Sequence, residues 1–120
     1  MSEPINRRVN LARVVGSPYC VSIEDGAKVH DVILKSMESG ERVILTFDGV
    51  ERLTTAFLNS AVGQLYDGNH EDEVRRFLLP PEGASQEQLR LLVRVVENAK
   101  RFFAAPDRHR TIIGNVLRDE

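Results

Sequence analysis

Two adjacent threonines, Thr54 and Thr55, stand where a short apolar segment gives way to a helical pattern. The start of a helix carries unpaired backbone N–H groups and a partial positive charge. A hydroxyl side chain there can cap the helix, carry a phosphate, or contact an anionic group of a partner. We take this pair as the candidate site, with Thr55 and Thr54 as possible phospho-acceptors and a simple N-cap as the alternative for either residue.

The helix that follows the threonines supplies a candidate partner surface. Its pattern predicts a helix from about Thr54 to Tyr66 with one buried stripe. The outer face is predicted to contact a partner and consists of Phe57, Asn59, Ser60, Gly63 and Gln64. Glycine inside a helix costs about 1 kcal/mol relative to alanine. Either a neighbouring helix of the same domain or the backbone of a partner is therefore expected to lie close to Gly63.

Elements that position this site can be predicted on both sides of it. Residues 9–15 and 19–21 read as two short strands that pair as an antiparallel hairpin. Ser22 begins a helix that runs to about Ser39, and the apolar run 43–47 is typical of a strand covered on both faces. Alternating strands and helices of this kind indicate an α/β fold with a small, mixed, mostly parallel sheet.

The second half of the chain predicts one more strand and one more helix. Residues 71–73 form an acidic cluster that we expect in a solvated loop, and residues 77–79 read as a short buried strand. Ser85 and Gln88 form a capping box that begins a third helix, which runs to about Phe103.

The third helix is apolar over about half of its circumference, which is wider than the usual stripe. Its first predicted stripe consists of Leu89, Leu92, Val93, Val96, Ala99 and Phe103. The remaining apolar residues, Leu91, Val95 and Phe102, need cover. The apolar residues of the tail, 112–117, provide that cover in the interpretation that we favour, and a homodimer or partner interface provides it in the other.

Size and composition exclude several classes of protein. The 120 residues predict one domain over 1–120, with a core at about 9–104 and a C-terminal tail at 105–120. The net charge of −2 makes nucleic acid an unlikely partner, and Cys20, the one cysteine, excludes an internal disulfide. We expect no metal or other cofactor, since the histidines lack ligand spacing. A signal sequence and a membrane span are both absent from the pattern, so we expect a cytoplasmic protein.

The segment LTFDGVERLTTAFLNSAVGQLY resembles the STAS-like domain of unknown function found in many bacteria. The features that match are the apolar strand, Asp48-Gly49-Val50, the threonine pair, and Phe57-Leu58-Asn59 leading into Gly63-Gln64-Leu65-Tyr66. The resemblance covers about residues 18–104, including the last helix. It implies a STAS-like α/β domain in which three helices pack on the sheet.

This family is similar in turn to the STAS domains of anti-sigma factor antagonists. Those proteins bind a histidine-kinase-like ATPase and are switched by phosphorylation of a serine at a helix N-terminus. On that pattern Thr55 takes the place of the phosphorylated serine. Thr54 stands where the pattern has aspartate, and Phe57 stands where it usually has glycine.

Taken together, these features predict a non-enzymatic bacterial regulatory domain that acts through protein–protein interaction. The resemblance implies a histidine-kinase-like ATPase as the partner and phosphorylation as the regulator. One alternative is a small-ligand or nucleotide-sensing module in which the same helix N-terminus receives an anion. Another is a DNA-associated accessory protein that uses the basic residues of the tail.

Overall fold

A computed structural model of the chain describes residues 5–68 and 71–103. Within them the elements, in chain order, are β1 (Asn6–Asn10), α1 (Leu11–Val15), β2 (Tyr19–Cys20), α2 (Ile23–Glu38), β3 (Arg42–Thr46), β4 (Arg52–Leu53), α3 (Thr55–Ala61), a 3-10 turn (Gly63–Tyr66), α4 (Glu71–Phe77) and α5 (Gln86–Phe103). This order confirms a mixed α/β fold.

The strands pair in parallel throughout the described part of the chain. β1 lies beside β3 with Asn6 opposite Arg42, and β2 lies beside β4 with Cys20 opposite Leu53. Each pair is therefore joined by a crossover that contains α2. β3 is buried along most of its length, as its apolar sequence predicts, and both α2 and α4 contact it.

Two of the predicted helices have the caps that their sequences indicate. The Ser22 hydroxyl accepts a hydrogen bond of 3.0 Å from the Asp25 N–H, which fixes the start of α2. Ser85 and Gln88 exchange hydrogen bonds before α5: the Gln88 N–H donates to the Ser85 hydroxyl, and the Ser85 N–H donates to the Gln88 side chain. Each capping bond satisfies a backbone donor that the helix itself leaves unpaired.

The predicted hairpin at the N-terminus is wrong. Residues 11–15 form helix α1 because Asn10 caps it, accepting from the Arg13 N–H at 2.8 Å, and Gly16 ends it at a φ of 80°. The strand that precedes α1 pairs with β3, and β2 pairs in parallel with β4 rather than with its neighbour in sequence.

The loop and strand predicted for residues 71–79 are also corrected. The acidic cluster is the first turn of α4, where carboxylates favour the positive end of the helix dipole. The Glu71 carboxylate lies 2.6 Å from Arg75 and 3.1 Å from Lys100, so it also ties α4 to α5. Leu78 adds only an isolated parallel bridge to Val43.

The face of α5 that packs on the domain differs from the predicted stripe. Val95 is only 1% exposed, whereas Leu89 and Val93 of the predicted stripe are exposed. The prediction that Val95 contributes to a homodimer surface is therefore wrong, because it lies in the core. Leu91 packs partly against that core, and Phe102 is exposed. The predicted cover by residues 112–117 lies outside the described residues.

Candidate functional site

The candidate site lies at an edge of the β2–β4 pair where two helices begin. Because these strands are parallel and in register, both reach their carboxyl ends at this edge. Two residues separate the end of β2 from the start of α2, and one residue separates the end of β4 from the start of α3. The Thr54 N–H donates to the Cys20 carbonyl at 3.2 Å, which holds the start of α3 against the end of β2. The domain thus presents two neighbouring helix N-termini.

Thr54 is the N-cap of α3 and is half-buried. Its hydroxyl donates to the Val21 carbonyl at 2.8 Å and accepts from the Phe57 N–H at 3.1 Å. A phosphate on this oxygen would remove the bond that it donates to Val21. The capping interpretation therefore accounts for Thr54, and this residue is a poor phospho-acceptor.

Thr55 differs from Thr54 because it is exposed and neither caps a helix nor links two elements among the described residues. It occupies the first position of α3, and its hydroxyl forms no hydrogen bond with any residue in 5–68 or 71–103. The first turn of α3 contains no acidic residue, whereas that of α2 contains Glu24 and Asp25. Among the two threonines, Thr55 is thus the one that an enzyme or a partner can reach.

Ser60 holds α3 against α2. Its hydroxyl donates to the Ile23 carbonyl at 2.8 Å. A Cβ atom on Gly26 of α2 would lie 2.5 Å from the Phe57 carbonyl oxygen and 2.7 Å from the Ser60 Cβ. The two helices therefore approach as closely as a glycine permits, and Ser60 acts between elements of the domain.

The predicted place of Phe57 on a partner surface is wrong. Its side chain is fully buried, as are those of Leu58 and Ala61. α3 packs against α2, the 3-10 turn and α5. A helix of seven residues that is enclosed on several sides leaves only a narrow exposed strip, and Phe57 lies on the enclosed part.

Asn59, Gly63 and Gln64 do lie together, in a groove of about 290 Å³ between α3 and α5 that Asn98 and Phe102 also line. Gly63 is the buried floor of this groove. A Cβ there would lie 3.6 Å from Val95 Cγ1 and 3.3 Å from Asn59 Oδ1. α5 therefore lies beside Gly63, as the first of the two expectations has it, but at an ordinary van der Waals distance that does not require a glycine. Asn59 and Gln64 are exposed.

Two exposed apolar side chains at this edge were missed by sequence reasoning. Ile23 is 62% exposed at the first position of α2, and Tyr19 is 52% exposed in β2. The Cys20 and Val21 carbonyls between them accept hydrogen bonds from Thr54, and the Ile23 carbonyl accepts one from Ser60, so this stretch of backbone lies along α3. The periodic pattern of a helix does not indicate whether its first residue is exposed. No sequence signal therefore distinguished Ile23 from a core residue.

Cys20 lies beneath the same edge as a small, fully buried side chain. Burial is the main reason that its pKa rises from 9.0 to about 11, and the nearby Asp25 carboxylate raises it further. The thiolate is the reactive form of cysteine, so this thiol is not poised as a nucleophile. No group of three metal-binding side chains was found in the part of the chain that the structure describes.

Comparison with protein families identifies the family to which this chain belongs. The mixed α/β fold with its short parallel strands is that of a STAS-like domain. The family model described as a STAS-like domain of unknown function matches residues 25–85, about half of the chain, and the chain belongs to this family. The match is shorter than the expected 18–104 but contains the whole segment 43–66. Comparisons with curated proteins and with solved structures gave no significant match.

Neither 5–68 nor 71–103 contains a helix that is both long enough and apolar enough to cross a bilayer.

Proposed function

We propose that this chain is a non-enzymatic regulatory domain of the bacterial cytoplasm that binds a protein partner through the edge where α2 and α3 begin. The contact surface consists of Tyr19, Ile23, Thr55 and Asn59, and we call it the twin-helix edge. The observation that carries the proposal is the exposed Thr55 hydroxyl at the start of α3, together with the exposed apolar side chains of Tyr19 in β2 and Ile23 at the start of α2.

The composition of the twin-helix edge supports a protein partner. Large apolar side chains such as Tyr19 and Ile23 lose contact with water on association, which is favourable in proportion to the buried area. Thr55 and Asn59 are four residues apart and therefore share a face of α3, where they supply polar contacts. Asn59 also joins this face to the groove that Gln64 lines, so a partner that covers the edge extends towards α5.

We further propose that phosphorylation of Thr55 releases the partner. A phosphate adds about −1.5 to −2 charges. Glu24 already stands in the first turn of α2, so a phosphate on Thr55 adds to the negative charge of the edge and repels a partner that presents carboxylates. The resemblance to anti-sigma factor antagonists supports a histidine-kinase-like ATPase as both partner and kinase.

A charge placed at Thr55 tests this proposal. Thr55→Glu is expected to weaken binding to the partner at least tenfold, measured by biolayer interferometry with the candidate ATPase, or with the protein captured by the wild-type chain from its source organism. The melting temperature should change by less than about 2 °C, because a carboxylate at a helix N-terminus is favourable.

Gln86→Glu is the matched control. Gln86 is the first residue of α5 and is exposed, so the variant adds the same charge at the same helical position away from the twin-helix edge. It should bind the partner like the wild type. Equal binding by the Thr55 and Gln86 variants would rule out the proposed switch.

A further inference from the structure

We propose that the cavity between α4 and α5 binds a small, uncharged, largely apolar molecule whose hydrogen-bond acceptor pairs with the Tyr66 hydroxyl. The site is separate from the twin-helix edge and does not depend on the proposed function. We call it the Tyr66 cavity.

The size and walls of the Tyr66 cavity suit such a molecule. Its volume is about 340 Å³, and its walls include apolar side chains of α4 and α5, among them Val74, Leu92 and Val96. Ligand pockets are typically apolar hollows of roughly 300–1,000 Å³ with a few polar groups that fix orientation. The cavity is at the lower end of that range, so a fragment-sized molecule fits.

Tyr66 supplies the polar group. The residue is only 7% exposed and lines the cavity, and its hydroxyl forms no hydrogen bond with the residues described, 5–68 and 71–103. The hydroxyl oxygen is not among the fully buried unpaired atoms of those residues, which are His30 Nδ1 and Arg42 Nε, so it remains accessible to solvent. A hydroxyl that is accessible and has no protein partner pairs with water or with a ligand that displaces the water. Burial also raises the pKa of the phenol, so the hydroxyl stays protonated and donates. The ligand must therefore offer an acceptor such as a ketone, ester or amide oxygen.

The charges at the rim favour an uncharged ligand. Glu71, Arg75 and Lys100 line the cavity, and the Glu71 carboxylate lies within ion-pair distance of both cations. Arg75 also faces Asp72 at 3.5 Å, and Lys100 faces Glu97 at 4.0 Å. Since each of these cations already has an acidic partner, an ionic ligand would have to displace an existing pair.

A titration of the full chain with matched probes tests the inference. Acetophenone carries a carbonyl acceptor, ethylbenzene has the same size without it, and benzoate has a charge. In ¹H–¹⁵N spectra, acetophenone should shift the amides of Val74, Leu92 and Val96, and should bind roughly fivefold more tightly than ethylbenzene, as expected for one hydrogen bond between neutral groups. Benzoate should bind more weakly than acetophenone.

Two variants separate the hydrogen bond from the cavity. Tyr66→Phe should remove the preference for acetophenone over ethylbenzene while leaving ethylbenzene binding unchanged. Val96→Phe should fill the cavity and abolish both, whereas Val93→Phe, on the exposed side of the same helix, should change neither. Sedimentation of each variant establishes that it remains folded and in the oligomeric state of the wild type.

Three ligand-binding results would overturn the inference: no shift of the cavity amides with acetophenone, tighter binding of benzoate than of acetophenone, or an undiminished preference of Tyr66→Phe for acetophenone over ethylbenzene. A change of oligomeric state in Val96→Phe would also overturn it, because the cavity would then be an interface between copies of the chain. The twin-helix edge would be untouched by any of these, because its test uses a different surface.

Discussion

Replacing Gly26 by alanine should destabilise the domain, although alanine is the better helix former. Gly26 lies inside α2 and is buried against α3. The new Cβ would lie 2.5 Å from the Phe57 carbonyl oxygen. That distance is roughly 0.8 Å shorter than a comfortable carbon–oxygen contact of about 3.3 Å. Because the opposing atom belongs to the backbone of α3, relief requires the two helices to separate.

The expected loss follows from two opposing effects. Overpacking a well-packed interior costs about 1–3 kcal/mol, and the rigid backbone neighbour places this site at the upper end. Exchanging a helical glycine for alanine stabilises the helix by about 1 kcal/mol. The free energy of unfolding should therefore fall by about 2 kcal/mol, which corresponds to about 8 °C in melting temperature for a domain of this size.

Urea denaturation monitored by circular dichroism measures this loss, and Gly63→Ala is the matched control. Gly63 is also buried, but its nearest neighbour would be the side-chain oxygen of the exposed Asn59 at 3.3 Å, which can move aside. The Gly63 variant should stay within about 0.5 kcal/mol of the wild type. An unchanged or higher stability of Gly26→Ala would refute the close packing of α2 on α3.

The remaining predictions concern the cap and the buried thiol. Thr54→Ala should lower the free energy of unfolding by about 1–2 kcal/mol, because it removes the cap and the hydrogen bond to the Val21 carbonyl. In the same urea experiment, Thr55→Ala should lower the free energy of unfolding by less than about 0.5 kcal/mol. Because the pKa of Cys20 rises from 9.0 to about 11 on folding, the folded state holds a proton that the unfolded chain loses, so stability should fall as pH rises from about 9 towards 11. Cys20→Ala should flatten that decline relative to the wild type, and a flat wild-type profile would contradict the burial of the thiol.

The elements that could be predicted are those with strong local signals. α2 and α5 begin at the Ser22 and Ser85 caps that the sequence indicates, and β3 coincides with the apolar run 43–47 to within one residue. In each case the periodicity and the start signal agree, so the local preference and the tertiary structure select the same element.

The elements that the sequence did not predict correctly have local signals that favour two different structures. Residues 11–15 contain two β-branched valines that favour a strand, but Asn10 and Gly16 at their two ends cap a helix. Residues 71–77 carry acids in the first turn and arginines in the last, which suits a helix dipole, yet a cluster of three acidic residues is also typical of a solvated loop. Pairing is harder still, since the partner of β2 is β4, more than thirty residues away, and no local pattern encodes that choice.

The candidate site was predicted in position but only partly in composition. The helix start at Thr54 and the exposure of Thr55 follow from the capping pattern. The inward direction of Phe57 does not, because it depends on how many neighbours enclose α3. The exposure of Ile23 depends in the same way on which elements leave the start of α2 uncovered.

Photo-crosslinking from the surface of α3 tests the twin-helix edge most directly. A benzophenone amino acid at Asn59 stands on the exposed strip beside Thr55, and the same residue at Gln86 serves as the control. The account predicts that position 59 captures the partner, that position 86 does not, and that Thr55→Glu in the same chain abolishes capture at 59. Equal capture from both positions, or capture that persists with Thr55→Glu, would contradict it.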